Sequence, residues 1–203
     1  MNKKILFSDK FLLTQAVLGG AKTMTRRLVP QSLLDKYDVW YEDFIYKPVG
    51  EEKYLSVEEY VLKRTRYKVG EVVAIAQSYN TLNNSGYVAP EWCEHTCESS
   101  AGYENKMFVR ADLMPHHIKI TDVRMERLQK ISDDDCMREG IMYYTPANNQ
   151  CIKGGYGYLT SDGGLHLFGT PRDAYASLVD KISGKGTWDR NPLLVVYSFE
   201  LEE

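Results

Sequence analysis

The residues best suited to chemistry in this sequence lie at positions 20–27, Gly-Ala-Lys-Thr-Met-Thr-Arg-Arg. They bring an amine, hydroxyl groups and two guanidiniums into one short segment that has little to offer a hydrophobic core. Positive charge on Arg26 and Arg27 is expected to lower the pKa of Lys22, because a nearby cation disfavours the ammonium form. A neutral amine beside the Thr25 hydroxyl is one way to carry out hydrolysis near neutral pH. The alternative is a solvated basic turn, which is the ordinary state of charged surface residues.

A carboxylic acid that could complement these groups occurs far along the chain, at Glu139. Ser132 is a candidate helix N-cap with Asp135 at the capping-box position, and Gly140 ends the helix. Glu139 therefore lies in the last turn, where the helix dipole disfavours a carboxylate by about 0.3–1 kcal/mol. Asp135 is on the same helix face and adds like-charge repulsion. Both effects favour the protonated form that a general acid needs, although burial or a specific partner must add to them.

Local patterns place the basic segment between a helix and an extended stretch. Ser8 or Asp9 can cap a helix that runs to about Leu18, and the glycines at 19–20 end it. The segment then runs in extended form toward Pro30. The chemistry of residues 20–27 is thus expected to start at a helix end and to continue into a strand.

A second basic stretch follows a clear helix start. Ser56 and Glu59 form a capping box, and the helix is predicted to extend to about Lys68. Its second half is basic and includes Arg64 and Arg66. These cations complement the negative end of the helix dipole. The alternative is a stripe of cations that binds substrate.

Regular patterns elsewhere predict strands and one further helix, separated by three insertions. The helix begins at the Thr170 N-cap with Pro171 in its first position, and it runs to about Ile182. A change of alternation phase at residues 121–122 is typical of a β-bulge. Strands are predicted at about 72–78, 107–131 and 193–201. The insertions cover about 31–54, which we expect to be rich in loops, about 80–107, a long polar excursion, and about 141–169, which is rich in glycine and tyrosine.

One insertion contains the possible metal ligands Cys93, His95 and Cys97. Zinc needs a fourth ligand at a suitable spacing, and the local sequence does not supply one. Cys151 or His116 could do so only through the fold. We therefore expect unliganded thiols, no metal and no cofactor.

Composition is that of an ordinary globular protein of 203 residues, with 43% apolar and 26% charged residues. This length predicts one domain over residues 1–203. The net charge of −3 argues against a broad grip on a long nucleic acid but leaves room for a small basic pocket. Four cysteines fit a reducing compartment. With no signal peptide or membrane-spanning stretch apparent, the sequence predicts a cytoplasmic protein with no membrane contact.

Taken in order, the motifs resemble the ASCH family, in particular its longer phage-type branch. The matching motifs are Gly20-x-Lys22-x-x-Thr25-x-Arg27, Gly70-Glu71 before a strand, Ser132-x-x-Asp135 with Glu139-Gly140, and Trp188-Asp189-x-Asn191-Pro192 before the last strand. The resemblance implies an α+β fold of the PUA-like type, a small β-barrel with helices packed around it. It also implies a cleft beside the barrel that takes RNA or a modified nucleoside.

The resemblance further implies roles for individual residues. In short family members similar to acetylcytidine amidohydrolases, the motif lysine is a base, the threonine a nucleophile and a later glutamate the proton donor. By motif position these roles fall on Lys22, Thr25 and Glu139. Arg27 could anchor a phosphate or stabilise an oxyanion. The other expected ligand contacts are Gly20, Thr23, Arg26, Trp188 and Asn191.

Two features depart from the family pattern and leave alternatives open. The chain is about twice as long as the compact enzymes, and Gln77 stands near a position where many longer relatives carry an acid. One alternative is a non-catalytic RNA-binding module that uses the same cleft. Another is a phage-type accessory protein whose insertions bind a further protein. Trp188 and Asn191 have two interpretations, as ligand contacts or as structural residues of a turn.

Overall fold

The computed structural model describes residues 3–46, 54–87, 98–145 and 154–202. Over these residues the protein is a mixed α+β fold with two sheets. The strands are β1 (Lys4–Ile5), β2 (Met24–Leu28), β3 (Val72–Ile75), β4 (His117–Arg127), β5 (Met142–Tyr144), β6 (Gly155–Leu159), β7 (Leu165–Phe168) and β8 (Leu193–Glu202). The α-helices are α1 (Leu13–Leu18), α2 (Gln31–Tyr46), α3 (Val57–Lys63), α4 (Tyr79–Asn84), α5 (Asp133–Arg138), α6 (Pro171–Ser183) and α7 (Thr187–Arg190).

The larger sheet has five strands in the order β1-β3-β4-β8-β2. Its centre is the long antiparallel pair of β4 and β8, while β1 pairs with β3 in parallel. The register of β4 against β8 shifts between Ile120 and Asp122, which confirms the predicted bulge. Alternate residues on these strands, such as Ile118 and Ile120, are fully buried and form much of the core.

The sheet does not close into the small barrel that the family resemblance implies. In the described part of the chain β1 and β2 are the two edges, and no backbone ladder joins them. Instead, a side chain spans the gap: Arg27 Nη2 donates to the Leu6 carbonyl over 2.5 Å. We call this gap between β2 and the residues at and just after β1 the seam. Because the edges are left unpaired here, the seam is where a ligand could reach the inside of the sheet.

The glycine- and tyrosine-rich insertion at 141–169 contains a second, three-stranded sheet. Strands β5, β6 and β7 are consecutive and antiparallel. Glycine allows them to lie very close, because a Cβ on Gly157 would come within 1.9 Å of the His166 carbonyl oxygen. Tyr158 on β6 is buried in the main core, so this sheet is anchored to the rest of the protein.

Residues 31–46 of the first insertion form the long helix α2. The prediction of a loop-rich segment was therefore wrong. The apolar side of this helix covers another helix, and none of its residues is buried. Tyr37 and Trp40 lie 5.3 and 5.5 Å from the ring of Tyr60 on α3, as centroid distances. The aromatic rings of α2 therefore hold α3 in place over the sheet.

Most predicted helix starts are confirmed by their hydrogen bonds. Ser56 and Glu59 form a complete capping box, and the side chains of Ser132 and Thr170 accept N–H bonds at the starts of α5 and α6. The first predicted helix is broken, because Leu12 adopts a left-handed conformation (φ 53°) between a short 3-10 turn and α1. Helix α3 ends at Lys63, earlier than expected.

Candidate functional site

Lys22 is fixed in the interior by its position just after α1. Gly20 turns the chain with φ +73°, and the Lys22 backbone N–H donates to the Ala16 carbonyl over 2.9 Å. The side chain is 2% exposed and enters the space between α1, β2 and α5. There its Nζ donates to Glu139 Oε2 over 2.5 Å and to the Glu139 carbonyl over 2.8 Å.

Thr25 is the second residue of β2, three positions after Lys22, and lines the same hollow. It is 5% exposed and pairs with Tyr197 of β8 in the sheet register. Within the described residues its hydroxyl has no hydrogen-bond partner. Lys22, Thr25 and Glu139 line one cavity of about 80 Å³, with Phe7 and Tyr175 among its walls. We call this cavity the Lys22 cleft.

Burial sets the protonation chemistry of Lys22. Loss of water around the side chain lowers its pKa, and the charges of Arg27 and Arg26 act in the same direction. The carboxylate of Glu139 opposes the shift, but the net direction is downward. The sequence suggested the direction from the two guanidiniums, whereas desolvation is the larger cause in the structure.

Arg26 organises the carboxylates around this cleft and is itself almost completely enclosed, with 1% of its side chain exposed. It donates to Glu126 Oε1 over 2.7 Å, to Asp135 Oδ2 over 2.8 Å and to Glu139 Oε1 over 3.1 Å. Burial disfavours its charge, but Glu139 and Glu126 raise the pKa of Arg26 overall. We call this arrangement the Arg26 network. It keeps Glu139 in a fixed orientation toward Lys22.

The network changes the part that Asp135 was expected to play. The sequence suggested a like charge that repels Glu139, but Asp135 Oδ2 accepts hydrogen bonds from Arg26 and, over 2.9 Å, from Arg124. Its charge is therefore compensated locally. The partners of Glu139 are two cations, Lys22 on Oε2 and Arg26 on Oε1, and not a group that would add to the effects expected from the sequence.

The remaining predicted contacts divide into two groups. Arg26 and Arg27 line the Lys22 cleft, whereas Thr23 binds α5 through its backbone N–H and accepts from Arg138 Nε over 3.3 Å. Trp188 and Asn191 do not line the cleft. The Asn191 side chain accepts from the Gln129 backbone N–H over 2.8 Å, and the Trp188 carbonyl accepts from the Gln129 side chain over 2.9 Å. Gly20 acts through its backbone turn.

A larger cavity of about 340 Å³ lies on the other side of the seam. Arg27 and Leu6 line both cavities, so the two hollows share a wall. Arg64 and Arg66 line the larger one, together with the rings of Tyr67 and Tyr197. We call it the seam pocket. Of the residues predicted from the sequence to contact a ligand, Arg27 alone lines this pocket. The basic end of the α3 pattern had raised the possibility of a substrate-binding stripe.

The structure offers no site for a metal among its described residues: no group of three or more His, Cys, Asp or Glu side chains there could hold an ion. Cys93, His95 and Cys97 lie outside those residues, and so does Cys151. Cys136 is buried, and burial raises the pKa of its thiol to about 12. In the same part of the chain, every helix is too short or too polar to span a bilayer.

Comparison with known proteins gives limited information. No protein-family model matches the sequence, and no curated protein matches it. Among solved structures, a search matches the chain to the crystal structure of an ASCH domain from Lactobacillus crispatus JV V101, with 12% sequence identity. The match covers 96% of this chain and 75% of that one, at a TM-score of 0.34. A score of this size does not establish a common fold, and the resemblance to ASCH proteins continues to rest on the motifs.

Proposed function

We propose that the Lys22 cleft takes the acyl amide of a cytidine acylated on its exocyclic amine and hydrolyses that amide. The observation that supports this function is the convergence of Lys22, Thr25 and Glu139 on one cavity. Glu139 lies 117 positions after Lys22, yet their side chains meet at 2.5 Å. The choice of cytidine comes from the motifs, on which we assign the chain to the longer phage-type branch of ASCH proteins.

The buried pair supplies both a base and an acid. Lys22 and Glu139 share a short hydrogen bond between two buried side chains. Removal from water is unfavourable for both charges of such a pair. When the shared proton lies on Glu139, Lys22 is a neutral amine and Glu139 is a carboxylic acid. Burial lowers the pKa of Lys22 and so favours its neutral form. A proton that moves along this bond from Lys22 to Glu139 leaves the base and the acid that the reaction needs.

Each proton in the reaction then has a defined place. Thr25 Oγ1 attacks the amide carbonyl carbon while Lys22 takes its proton, and the C–N bond breaks as Glu139 protonates the leaving amine. Cytidine leaves, and an acyl ester remains on Thr25. Water attacks this ester and gives a proton to Glu139, while Lys22 returns a proton to Thr25. The products are cytidine and a carboxylic acid, and the three groups regain their starting states.

The same geometry favours a second function, recognition of RNA or a modified base without turnover. Lys22 has two acceptors from Glu139, and no bond joins Lys22 to Thr25 among the described side chains. A ligand amide could take the free Thr25 hydroxyl as a partner and remain intact. Under this alternative, the cleft binds the acylated nucleoside and releases it unchanged.

Isosteric replacement of Thr25 tests catalysis without disturbing the buried ion pair. Purified protein is incubated with acetylcytidine, and release of cytidine is followed by chromatography. We expect turnover by wild type, retained turnover by Thr25→Ser and a loss of about 100-fold or more in Thr25→Val, because removal of a nucleophile is rarely compensated. Lys22→Met and Glu139→Gln should also be inactive.

The matched control is Lys119→Met, which removes an exposed lysine on β4 that lines neither cavity. It should retain wild-type turnover. Equal activity of wild type and Thr25→Val would exclude Thr25 as the nucleophile. Binding of acetylcytidine by wild type with no release of cytidine would establish the recognition function instead.

A further inference from the structure

The seam pocket is large enough for a ligand group and adjoins the Lys22 cleft directly. Its volume of about 340 Å³ lies in the range of small-molecule pockets. Leu6 and Arg27 form part of both cavities. A ligand that fills the cleft and continues past Arg27 therefore enters the seam pocket.

Positive charge dominates the polar lining of this pocket. Arg27, Arg64 and Arg66 contribute guanidiniums, and no carboxylate occurs among the described residues that line it. Within the described ranges, none of the three forms an ion pair, whereas neighbouring Arg26 forms three. Cations grouped without counter-charges repel one another, so an anion that joins them is stabilised.

The three guanidiniums are held in place by contacts that occupy only some of their N–H donors. Arg64 lies over the Tyr60 ring at 3.5 Å and donates one bond to the Tyr60 carbonyl. Arg66 lies 5.5 Å from the centre of the Tyr67 ring. Arg27 donates to Leu6 from a single nitrogen. Since each guanidinium has several N–H donors in a planar fork, donors remain for an incoming oxyanion.

The floor of the pocket is apolar and aromatic. Tyr67 and Tyr197 are buried and contact each other edge to face, with ring centroids 5.3 Å apart. Val195 and Leu33 complete this surface. An apolar floor below a rim of guanidiniums suits a group that carries a phosphate at one end and a sugar or base at the other.

We propose that the seam pocket binds a phosphate group attached to the nucleoside whose acyl amide occupies the Lys22 cleft. Arg27, Arg64 and Arg66 hold the phosphate, and the aromatic floor takes the part of the ligand beyond it. The natural ligand is thus a nucleotide, either free or within RNA, and not a free nucleoside. The identity of the nucleoside rests on the proposed function, while the phosphate site stands on the pocket itself.

Calorimetric titration of wild type with matched ligands tests this site. The ligands are cytidine, its 5′- and 3′-monophosphates and a cytidine dinucleotide. We expect at least one phosphate-bearing ligand to bind about tenfold more tightly than cytidine at low salt, with an advantage that shrinks as salt screens the charges. A dinucleotide that binds more tightly than either monophosphate identifies RNA as the source of the phosphate. Equal affinities identify a free nucleotide.

The double variant Arg64→Gln with Arg66→Gln removes two exposed cations from the rim. It should reduce nucleotide affinity to that of cytidine and leave cytidine affinity unchanged. The control is Lys119→Gln with Arg127→Gln, which removes the same charge from exposed positions that line neither cavity. Equal affinity of wild type for cytidine and for all its phosphates would overturn the proposal. Equal losses in the two double variants would do the same.

Inorganic phosphate separates this proposal from the proposed function. Phosphate should bind wild type and Thr25→Val alike, and it should bind the Arg64→Gln, Arg66→Gln variant more weakly. That result would support the phosphate site even if acetylcytidine were not hydrolysed. Conversely, turnover of acetylcytidine without any effect of phosphate groups on binding would uphold the cleft and reject the phosphate site.

Discussion

Arg26 and Arg27 are adjacent in β2, yet they have opposite surroundings. Arg26 is enclosed and bonded to three carboxylates, while Arg27 is exposed and bonded only to a backbone carbonyl within the described residues. Successive side chains of a strand point to opposite faces, so one strand can serve two purposes. The first arginine holds the protein together, and the second remains available to a ligand.

The Arg26 network and the seam pocket also differ in how their charges affect the free energy of unfolding. In the Arg26 network each charge is compensated by a partner, and removing one partner leaves the others buried without compensation. In the seam pocket, cations lie near one another in contact with water, where ion interactions are weak. We therefore expect substitutions in the network to affect folding, and substitutions in the pocket to affect binding.

The largest effect on stability is expected from Arg26→Met. It removes the common partner of Glu126, Asp135 and Glu139, and should lower the free energy of unfolding by about 3–5 kcal/mol. Urea unfolding followed by circular dichroism measures this change. A loss below about 1 kcal/mol would show that the carboxylates find other partners and that the network is not structural.

Lys22→Met should cost less at neutral pH, about 1.5–3 kcal/mol, because Glu139 keeps its bond to Arg26. The effect should depend on pH. Folding lowers the pKa of Lys22 below its unfolded value of 10.5, so the unfolded chain binds the proton more tightly. Raising the pH toward 10.5 therefore favours folded wild type. Unfolding curves of both proteins at several pH values should diverge as pH rises, and parallel curves would contradict the shift.

Arg27→Met is the direct counterpart of Arg26→Met and should lower the free energy of unfolding by no more than about 1 kcal/mol. It loses one hydrogen bond to a carbonyl and leaves no carboxylate unpaired. The two variants can be compared in the same urea series. Equal losses would mean that the seam depends on Arg27 as strongly as the network depends on Arg26.

The smallest effect is expected from Arg64→Gln with Arg66→Gln, within about 0.5 kcal/mol of wild type. The informative measurement on this variant is the change in melting temperature that phosphate causes, compared with wild type. Added phosphate should raise the melting temperature of wild type, because a ligand that binds the folded state stabilises it. The double variant should respond less. A melting temperature that rises equally in both would place phosphate binding elsewhere on the protein.

Features that depend on neighbouring residues could be predicted from the sequence. The N-caps at Ser56, Ser132 and Thr170 are local hydrogen bonds, and all three occur as expected. The bulge near residues 121–122 changes the side-chain alternation and is visible for that reason. The placement of Lys22 after a helix end follows from the glycines that precede it.

The pattern for α2 was present but was not recognised. Leu33, Leu34, Tyr37, Trp40 and Phe44 recur at helical spacing, which indicates one apolar helix face. The acidic and aromatic composition hid this period. The strands in 141–169 were missed for another reason: glycine and tyrosine are ambiguous there, and pairing depends on the close approach that Gly157 allows.

The candidate site could be predicted only in part. Motif order brought forward Lys22, Thr25 and Glu139, but their roles remain proposals. The pairing of residues in the Arg26 network depends on contacts between residues about 100 positions apart in sequence, such as Arg26 and Glu126. The open seam depends on whether two sheet edges meet, and no local pattern encodes that. The seam pocket was therefore outside the reach of sequence reasoning.

The wall that Leu6 and Arg27 contribute to both hollows has a thermodynamic consequence. A ligand in one cavity that draws the Arg27 guanidinium away from the Leu6 carbonyl also changes the shape of the other cavity, even while that cavity is empty. Linkage requires the influence to be mutual, so each occupant changes the affinity for the other by the same factor. Titrating phosphate with and without saturating cytidine would measure that factor, and a value of one would show that the partition is rigid.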